Sequence, residues 1–460
     1  MGLGRSMKVR LDDLRRYLAG HPLATSPEAC LALSGINRST LMRLVAQLDD
    51  EVVRRGGARR SRYALRRPLR GRMGDLPLYR VDTEGNGHVV GALAPLHPNG
   101  CALDFSEPCR WPLAAGPMQD GWFEGIPYPL QDMKPSGFLG RNFAHQYGRD
   151  LGVPENLNHW TDDDVLSVLA VRGHDQSGDL ILGDRAYERH LEASRAWEET
   201  LVTEPTVPEA YPRLAELALA HGVVGSSAAG EFPKFTALRM LDGNPAAVIV
   251  KFSGAEASAA VQRWSDLLVC EHLALETLAT ALGILGARSA IRRHAGRTFL
   301  EVVRFDRQGA LGRLPLCTLA SLDNDLIGRA GAPWPALAAD LARSGWLPPS
   351  EVAAMSRIWW FGRLIANTDM HLGNVAFFPG LTLAPVYDML PMGYAPQRGG
   401  EVPPYEYAPA RPLPADEPAW RDAGDAALTF WQRGAEDSRI SEGFRAICLD
   451  NHGRLREALS

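Results

Sequence analysis

Near the start of the chain, apolar positions recur at helical intervals in three stretches. Val9, Leu11, Leu14 and Leu18 predict a helix over residues 9–19. Thr25-Ser26-Pro27-Glu28 combines a cap, an early proline and a first-turn acid, opening a short helix that runs to Leu33. After a turn at Gly35, Asn37 caps a third helix with Leu41, Leu44, Val45 and Leu48 facing inward. Two helices joined by a short turn, the second of them capped, give the helix-turn-helix pattern. Two short strands around Gly56-Gly57, rich in arginine, then predict a wing. Residues 1–72 thus read as a winged helix-turn-helix domain.

From Leu76 to about Tyr187 the pattern changes to short apolar runs among Gly and Pro, which predicts an α+β domain over residues 73–200. A charged helix closes it, and the prolines near 203–212 predict a linker. The runs FTALRM, AAVIVKF and RTFLEVVRFD predict strands around one long helix from about Val261 to Leu282, so residues 201–310 form a small β-rich lobe. From about Leu311 to the end helices dominate, except for a strand–loop–strand stretch near 374–388. The expected class is α+β, with two lobes of unequal kind behind the N-terminal domain.

Charge sharpens this division. The net charge is -5, yet residues 1–72 hold sixteen Lys/Arg and six Asp/Glu, a balance of +10. Such asymmetry points to a polyanion at one end, and the capped helix and wing specify duplex DNA. Arg38, Ser39, Thr40 and Arg43 on the third helix, with Arg59 and Arg60 in the wing, are the expected contacts. No apolar run approaches a membrane span, and the six cysteines are scattered without metal spacing, so a reducing cytoplasm is expected. Gly2 and Ser6 fit a myristoylation pattern, but the pattern is short and no second anchor accompanies it, and Met7 offers a simpler start.

The chain has 45 Arg and only four Lys: Lys8, Lys134, Lys234 and Lys251. Where arginine is the default cation, a retained lysine suggests a need for a compact ammonium. Lys251 ends the apolar run Val248-Ile249-Val250, and Lys234 follows Gly225-Ser-Ser-Ala-Ala-Gly230, a run small enough to let backbone N–H groups approach phosphate. Asp369 and Asn374 stand five residues apart in NTDMHLGN, and Asp388 ends a short apolar stretch one strand–turn–strand later. That order matches the needs of phosphoryl transfer: a phosphate cradle, a cation, a carboxylate to orient the attacking hydroxyl, and two oxygen ligands for Mg²⁺. A partner for Lys251 would come from the long helix, as Glu271 or Glu276.

NTDMHLGNVAF and LAPVYDML, with GSSAAGEFPK, VIVKF and EVVRFDR before them, resemble the HipA family of serine/threonine protein kinases. The resemblance runs from about residue 120 to 450 and takes in GxDxxG at Gly173–Gly178. The basic helix-turn-helix in front makes the chain most similar to the YjjJ-type branch. The resemblance implies a two-lobed, protein-kinase-like fold using ATP and Mg²⁺. Asp369 would be the proton acceptor, with Asn374 and Asp388 as metal ligands. Ala229, Gly230, Lys234, Lys251, Val303, Phe305, His371, Asn374, Tyr387 and Asp388 would line the nucleotide, Val303–Phe305 as its hinge. Ser227, with Ser226 beside it, would be autophosphorylated. The loop departs from the family in reading AGEFPK, and Val303 stands where a Glu is common.

The resemblance further implies a toxin that phosphorylates a protein, a translation factor such as an aminoacyl-tRNA synthetase fitting the family. Relatives are held by a separate DNA-binding antitoxin, and here the N-terminal domain could supply that restraint itself. Two other readings remain: a DNA-binding regulator with a nucleotide-sensing pseudokinase domain, and a small-molecule phosphotransferase. The second usually places His before the catalytic Asp, whereas His371 follows Asp369.

Overall fold

The computed structural model describes residues 2–33, 35–56, 61–220, 232–397 and 399–460. Three helices open the chain: α1 (Gly2–Gly20), α2 (Ser26–Ala32) and α3 (Arg38–Gln47). Strand β1 (Ala24–Thr25) precedes α2, and β2 (Val52–Arg55) and β3 (Arg62–Leu65) follow α3. The three strands pair in the order β1-β3-β2. Leu14, Leu18, Leu41, Leu44 and Leu48 form a core of their own beneath this sheet. The Asn37 side chain accepts from the Thr40 N–H at 2.9 Å, the cap anticipated for α3.

This head is docked rather than tethered. Val53 and Ala64 of the β2–β3 hairpin share a buried apolar cluster with Ala94, Leu96, Ala102 and Trp122 of the next domain. Arg67 donates to Asp163 at 2.6 Å, Arg70 pairs with Asp164, and Arg66 with Asp75. Arg55 donates to the carbonyls of Leu103 and Asp120. Four arginines of the +10 region therefore hold the head in place, a use invisible to a charge count.

The second domain is built on a sheet of β4 (Leu76–Val81), β5 (Gly87–Pro95), β6 (Cys101–Phe105), β7 (Trp122–Phe123) and β8 (Leu180–Leu182), ordered β7-β6-β5-β4-β8. Between β7 and β8 come α4 (Tyr128–Gln131), α5 (Gly137–Leu151) and α6 (Asp162–Arg172), and α7 (Asp184–Arg195) follows.

Beyond it lies a second five-stranded sheet, ordered β12-β13-β11-β10-β9. Its members are β9 (Leu201–Val202), β10 (Lys234–Leu241), β11 (Asn244–Phe252), β12 (Ser289–His294) and β13 (Arg297–Val303). The linker expected near 203–212 is instead the start of helix α8 (Val207–Ala220), in which Val207 and Tyr211 are buried. Pro208 is tolerated in a first turn, and Tyr211 repays Pro212 by packing edge-on to Phe235 at 5.4 Å. Val248, Val250, Phe252 and Phe299 face α8. The alternate residues face α9 (Ala259–Leu282), a helix buried around most of its circumference and closed by Gly283 at φ 65°.

One short pair follows, β14 (Arg307–Gln308) with β15 (Gly312–Arg313), and then the single strand β16 (Cys317–Thr318), which leads into α10 (Leu319–Leu322). Helices α11 (Trp334–Arg343) and α12 (Pro349–Leu364) precede the hairpin β17 (Ala376–Phe378) and β18 (Thr382–Leu383). Helices α13 (Glu417–Glu436) and α14 (Glu442–Leu459) close the chain. One continuous core joins the second domain, α9 and the C-terminal helices. Among the described residues no helix is long and apolar enough to cross a membrane. The class is mixed α+β.

Candidate functional site

The site forms where α9, β11 and the segment 367–388 meet. Lys251 is next to last in β11, on the face turned toward α9, and is 5% exposed. Its ammonium lies 2.7 and 2.8 Å from the two carboxylate oxygens of Glu271, which is fully buried. It also meets the carboxylate of Asp388. A buried ammonium needs such partners, since desolvation otherwise costs several kcal/mol, on the order expected for an isolated buried ion. Of the two helix carboxylates, Glu271 is thus the partner. Glu276 faces Arg433 and His272 instead.

Lys234 and Lys251 are directly opposed in the β10–β11 register, so both ammonium-bearing stems lie on one face of the sheet. The only two lysines in this half of the chain are neighbours in space.

Asp388 adopts a left-handed backbone at φ 53°, unusual for a residue with a side chain. Asn367, buried at the end of α12, accounts for part of its setting. The Asn367 amide donates to the Asp388 carbonyl at 3.4 Å, and its oxygen accepts the Asp369 N–H at 3.0 Å. Asn374 donates its amide N–H to the Asp369 carbonyl at 2.9 Å, which leaves the amide oxygen for another partner. One loop thereby holds Asp369, Asn374 and Asp388 in fixed relation. Asp369 itself is solvent-exposed.

Tyr387 donates to the Gly373 carbonyl at 2.5 Å, and burial, followed by Asp132 and Asp306, pushes its hydroxyl above the usual range. It therefore stays a proton donor. Its ring lies 5.5 Å from Phe305, so those two anticipated residues form one aromatic wall. His371 is exposed and accepts the Gly373 N–H at 3.1 Å through Nδ1, capping the turn that carries Asn374. Val303 stands apart. Its side chain packs with the α8-side cluster, and its N–H donates to Arg288 at 2.8 Å. The sheet thus engages the N–H of the first residue of the expected hinge.

Ala229, Gly230, Ser226, Ser227, Arg59 and Arg60 lie outside the described residues. Arg38, Ser39 and Arg43 are exposed on α3 and Thr40 is half-buried there, in the head domain rather than near Asp369. Sequence reasoning missed Asn367 as the link between Asp369 and Asp388. It also missed Asp132, a half-buried carboxylate taking 2.6 Å hydrogen bonds from the Thr318 N–H and hydroxyl and a 2.8 Å bond from Ser321. Thr318 pairs with Ala376, two residues beyond Asn374, so Asp132 braces the strand beside the loop. Asn367 begins the NTDMHLGN string and could have been read from it, but nothing local marks Asp132.

Two family models match the chain: the middle domain of YjjJ-like toxins over residues 73–191, and the HipA-like C-terminal domain over residues 226–434. The protein described as Toxin YjjJ from Escherichia coli (strain K12) is 37% identical over 426 residues, covering 92% of this chain and 93% of that one. The chain belongs to the YjjJ-like toxins of the HipA family. The HipA-like match spans Lys251, Glu271, Asp369, Asn374 and Asp388, so the whole cluster falls within that family domain.

Among solved structures, a Shewanella oneidensis MR-1 HipA, described as in complex with HipB and operator DNA, is similar at 16% identity. Its TM-score is 0.49, over 84% of this chain and 96% of that one. The Helicobacter pylori proinflammatory kinase CtkA is similar at 14% identity and a TM-score of 0.33, over 50% and 92% of the chains. Neither likeness is close enough to carry an argument about this YjjJ-like chain.

Proposed function

We propose that the chain is an ATP- and Mg²⁺-dependent serine/threonine protein kinase of two lobes, with a duplex-DNA-binding winged helix-turn-helix domain at residues 1–72. The observation that carries the reading is the convergence of Lys251, Glu271 and Asp388 beside a loop that presents Asp369 and Asn374. The donor set suits the ligands. A carboxylate and an amide oxygen are hard ligands of the kind Mg²⁺ prefers, and a compact ammonium suits phosphate oxygens. Bound Mg²⁺ would neutralise charge on the β- and γ-phosphates.

The remaining work belongs to the chain's own residues. Glu271 holds Lys251 in place to bind phosphate oxygens, and Lys234 adds a second cation on the same face. Asp369 orients the incoming serine or threonine hydroxyl and accepts its proton. Asn367 and Asn374 keep that carboxylate in register with Asp388. Phe305 and Tyr387 offer an aromatic wall to the base.

Family membership supports a toxin whose substrate is a protein, and Ser226 or Ser227 as a site of self-modification. An antitoxin, or restraint by the chain's own head domain, belongs to the same proposal, as does residence in the cytoplasm. Incubation of the full chain with γ-labelled ATP, alone and with cell lysate, tests the reading. Label should enter this chain or another protein only when Mg²⁺ is present; no transfer under any condition would contradict it.

A further inference from the structure

The segment after β13 carries an unusual concentration of charge. Arg313 is buried and the side chains of Arg304 and Arg307 are only 9% and 7% exposed; among the described residues their close ion-pair partners are two carboxylates, Asp306 and Asp175. Arg304 grips Asp306 with two nitrogens, at 3.0 and 2.9 Å, and reaches Asp175 at 3.4 Å. Arg307 donates to Asp306 at 2.7 Å, to Asp175 at 3.1 Å, and to the carbonyls of Gln176 and Gly178 at 2.6 and 3.0 Å. The Gly178 N–H returns a bond to Asp306 at 3.0 Å. Asp175, Gln176 and Gly178 all belong to the Gly173–Gly178 segment of the YjjJ-like middle domain, directly after α6.

These contacts enclose Phe305, the residue between Arg304 and Asp306 whose ring faces Tyr387. The Arg304 N–H is fixed to the Ala247 carbonyl at 2.9 Å, so one side of the segment is set by β11. The other side is set by Asp175. With three guanidinium groups and two carboxylates, removal of one carboxylate leaves like charges packed together and the segment free to splay.

We propose that Asp175 is a positioning residue for the nucleotide: from the middle domain it fixes residues 304–307 and thereby the Phe305–Tyr387 wall. This rests on the ATP reading above, and it gives the middle domain a part in the reaction. Asp175 touches neither nucleotide nor reacting atoms; it acts through Phe305. Its side chain is 54% exposed at the rim of the cluster, against 8% for Asp306. Asp175→Asn therefore retains a folded chain, whereas replacing Asp306 would leave buried cations without their main partner.

The test uses the full chain as wild type, Asp175→Asn, Asp175→Glu and Asp163→Asn. Asp163 sits at the opposite end of α6 and controls for general loosening of the middle domain. Asp175→Asn is expected to raise the KM and Kd for ATP about 10-fold, the size of a lost charged hydrogen-bond pair, with kcat within about 2-fold. Asp175→Glu should recover part of the affinity, and Asp163→Asn should bind ATP as the wild type does. Unchanged ATP affinity in Asp175→Asn, or equal losses of affinity in Asp175→Asn and Asp163→Asn, would overturn the assignment. A wild-type chain that binds no ATP would instead overturn the reading on which it rests.

Discussion

Lys251 and Glu271 meet through two hydrogen bonds of 2.7 and 2.8 Å, inside a core where neither side chain is more than 6% exposed. Removing the negative charge of Glu271 takes away the buried carboxylate that fixes the ammonium and strengthens its pull on Asp388. Glu271→Gln should lower transfer activity by roughly 10- to 100-fold through misplacement of Lys251, with the chain still folded by circular dichroism. Lys251→Arg should also lose activity, because a planar guanidinium cannot occupy the space between two carboxylates as a point charge does. Full activity in Lys251→Arg would contradict the role given to the retained lysine.

Asp369 and Asp388 should separate by what they bind. Asp388→Asn removes the charge proposed to hold Mg²⁺ and should weaken Mg²⁺-dependent ATP binding, measured by titration calorimetry, more than Asp369→Asn does. Equal ATP affinity in the two variants would show that Asp388 is not a metal ligand.

The head domain offers two kinds of arginine. Arg38 and Arg43 are exposed on α3, and Arg38→Ala or Arg43→Ala should cost about 1–3 kcal/mol of DNA affinity in gel shifts at low salt. Arg67 is engaged with Asp163 and with the Leu96 and Pro98 carbonyls. Arg67→Ala should lower Tm by roughly 2–4 °C and leave the salt dependence of DNA binding unchanged. A chain beginning at residue 73 would uncover Ala94, Leu96, Ala102 and Trp122, so point variants of α3 are the sounder test of restraint by the head.

Acid sensitivity should trace to His190. Burial, then the Arg313 guanidinium, pushes this imidazole down to about 4 from an ordinary 6.5. Between those values the unfolded chain takes up a proton that the folded chain refuses, so stability falls as pH drops through this window. At pH 5 the loss is about 2 kcal/mol. His190→Asn, which keeps an acceptor for Arg313 but cannot titrate, should show a smaller fall in Tm between pH 7 and pH 5. An identical fall in variant and wild type would remove His190 as the cause.

Local pattern carried the reading far. The capped α3, the long α9 and the position of Lys251 at the end of β11 are all matters of periodicity and spacing, and each is where the pattern puts it. What spacing could not supply is partnership across the chain. Glu271 and Glu276 are both carboxylates on one helix, and only the packing of α9 against β11 selects the first. The prolines at 208 and 212 looked like a linker because local rules penalise them, while the burial of Val207 and Tyr211 outweighs that penalty. Arginines counted toward DNA proved to bind Asp163, Asp164 and Asp75, since charge tallies carry no information about distance.

The claim that Asp369 orients and deprotonates a protein hydroxyl is tested most directly by transfer from γ-labelled ATP, with Mg²⁺, into protein serine or threonine. Wild-type chain should transfer label, and Asp369→Asn should transfer at least ~10²-fold less while binding ATP and melting as the wild type does. Near-wild-type labelling by Asp369→Asn would contradict the account.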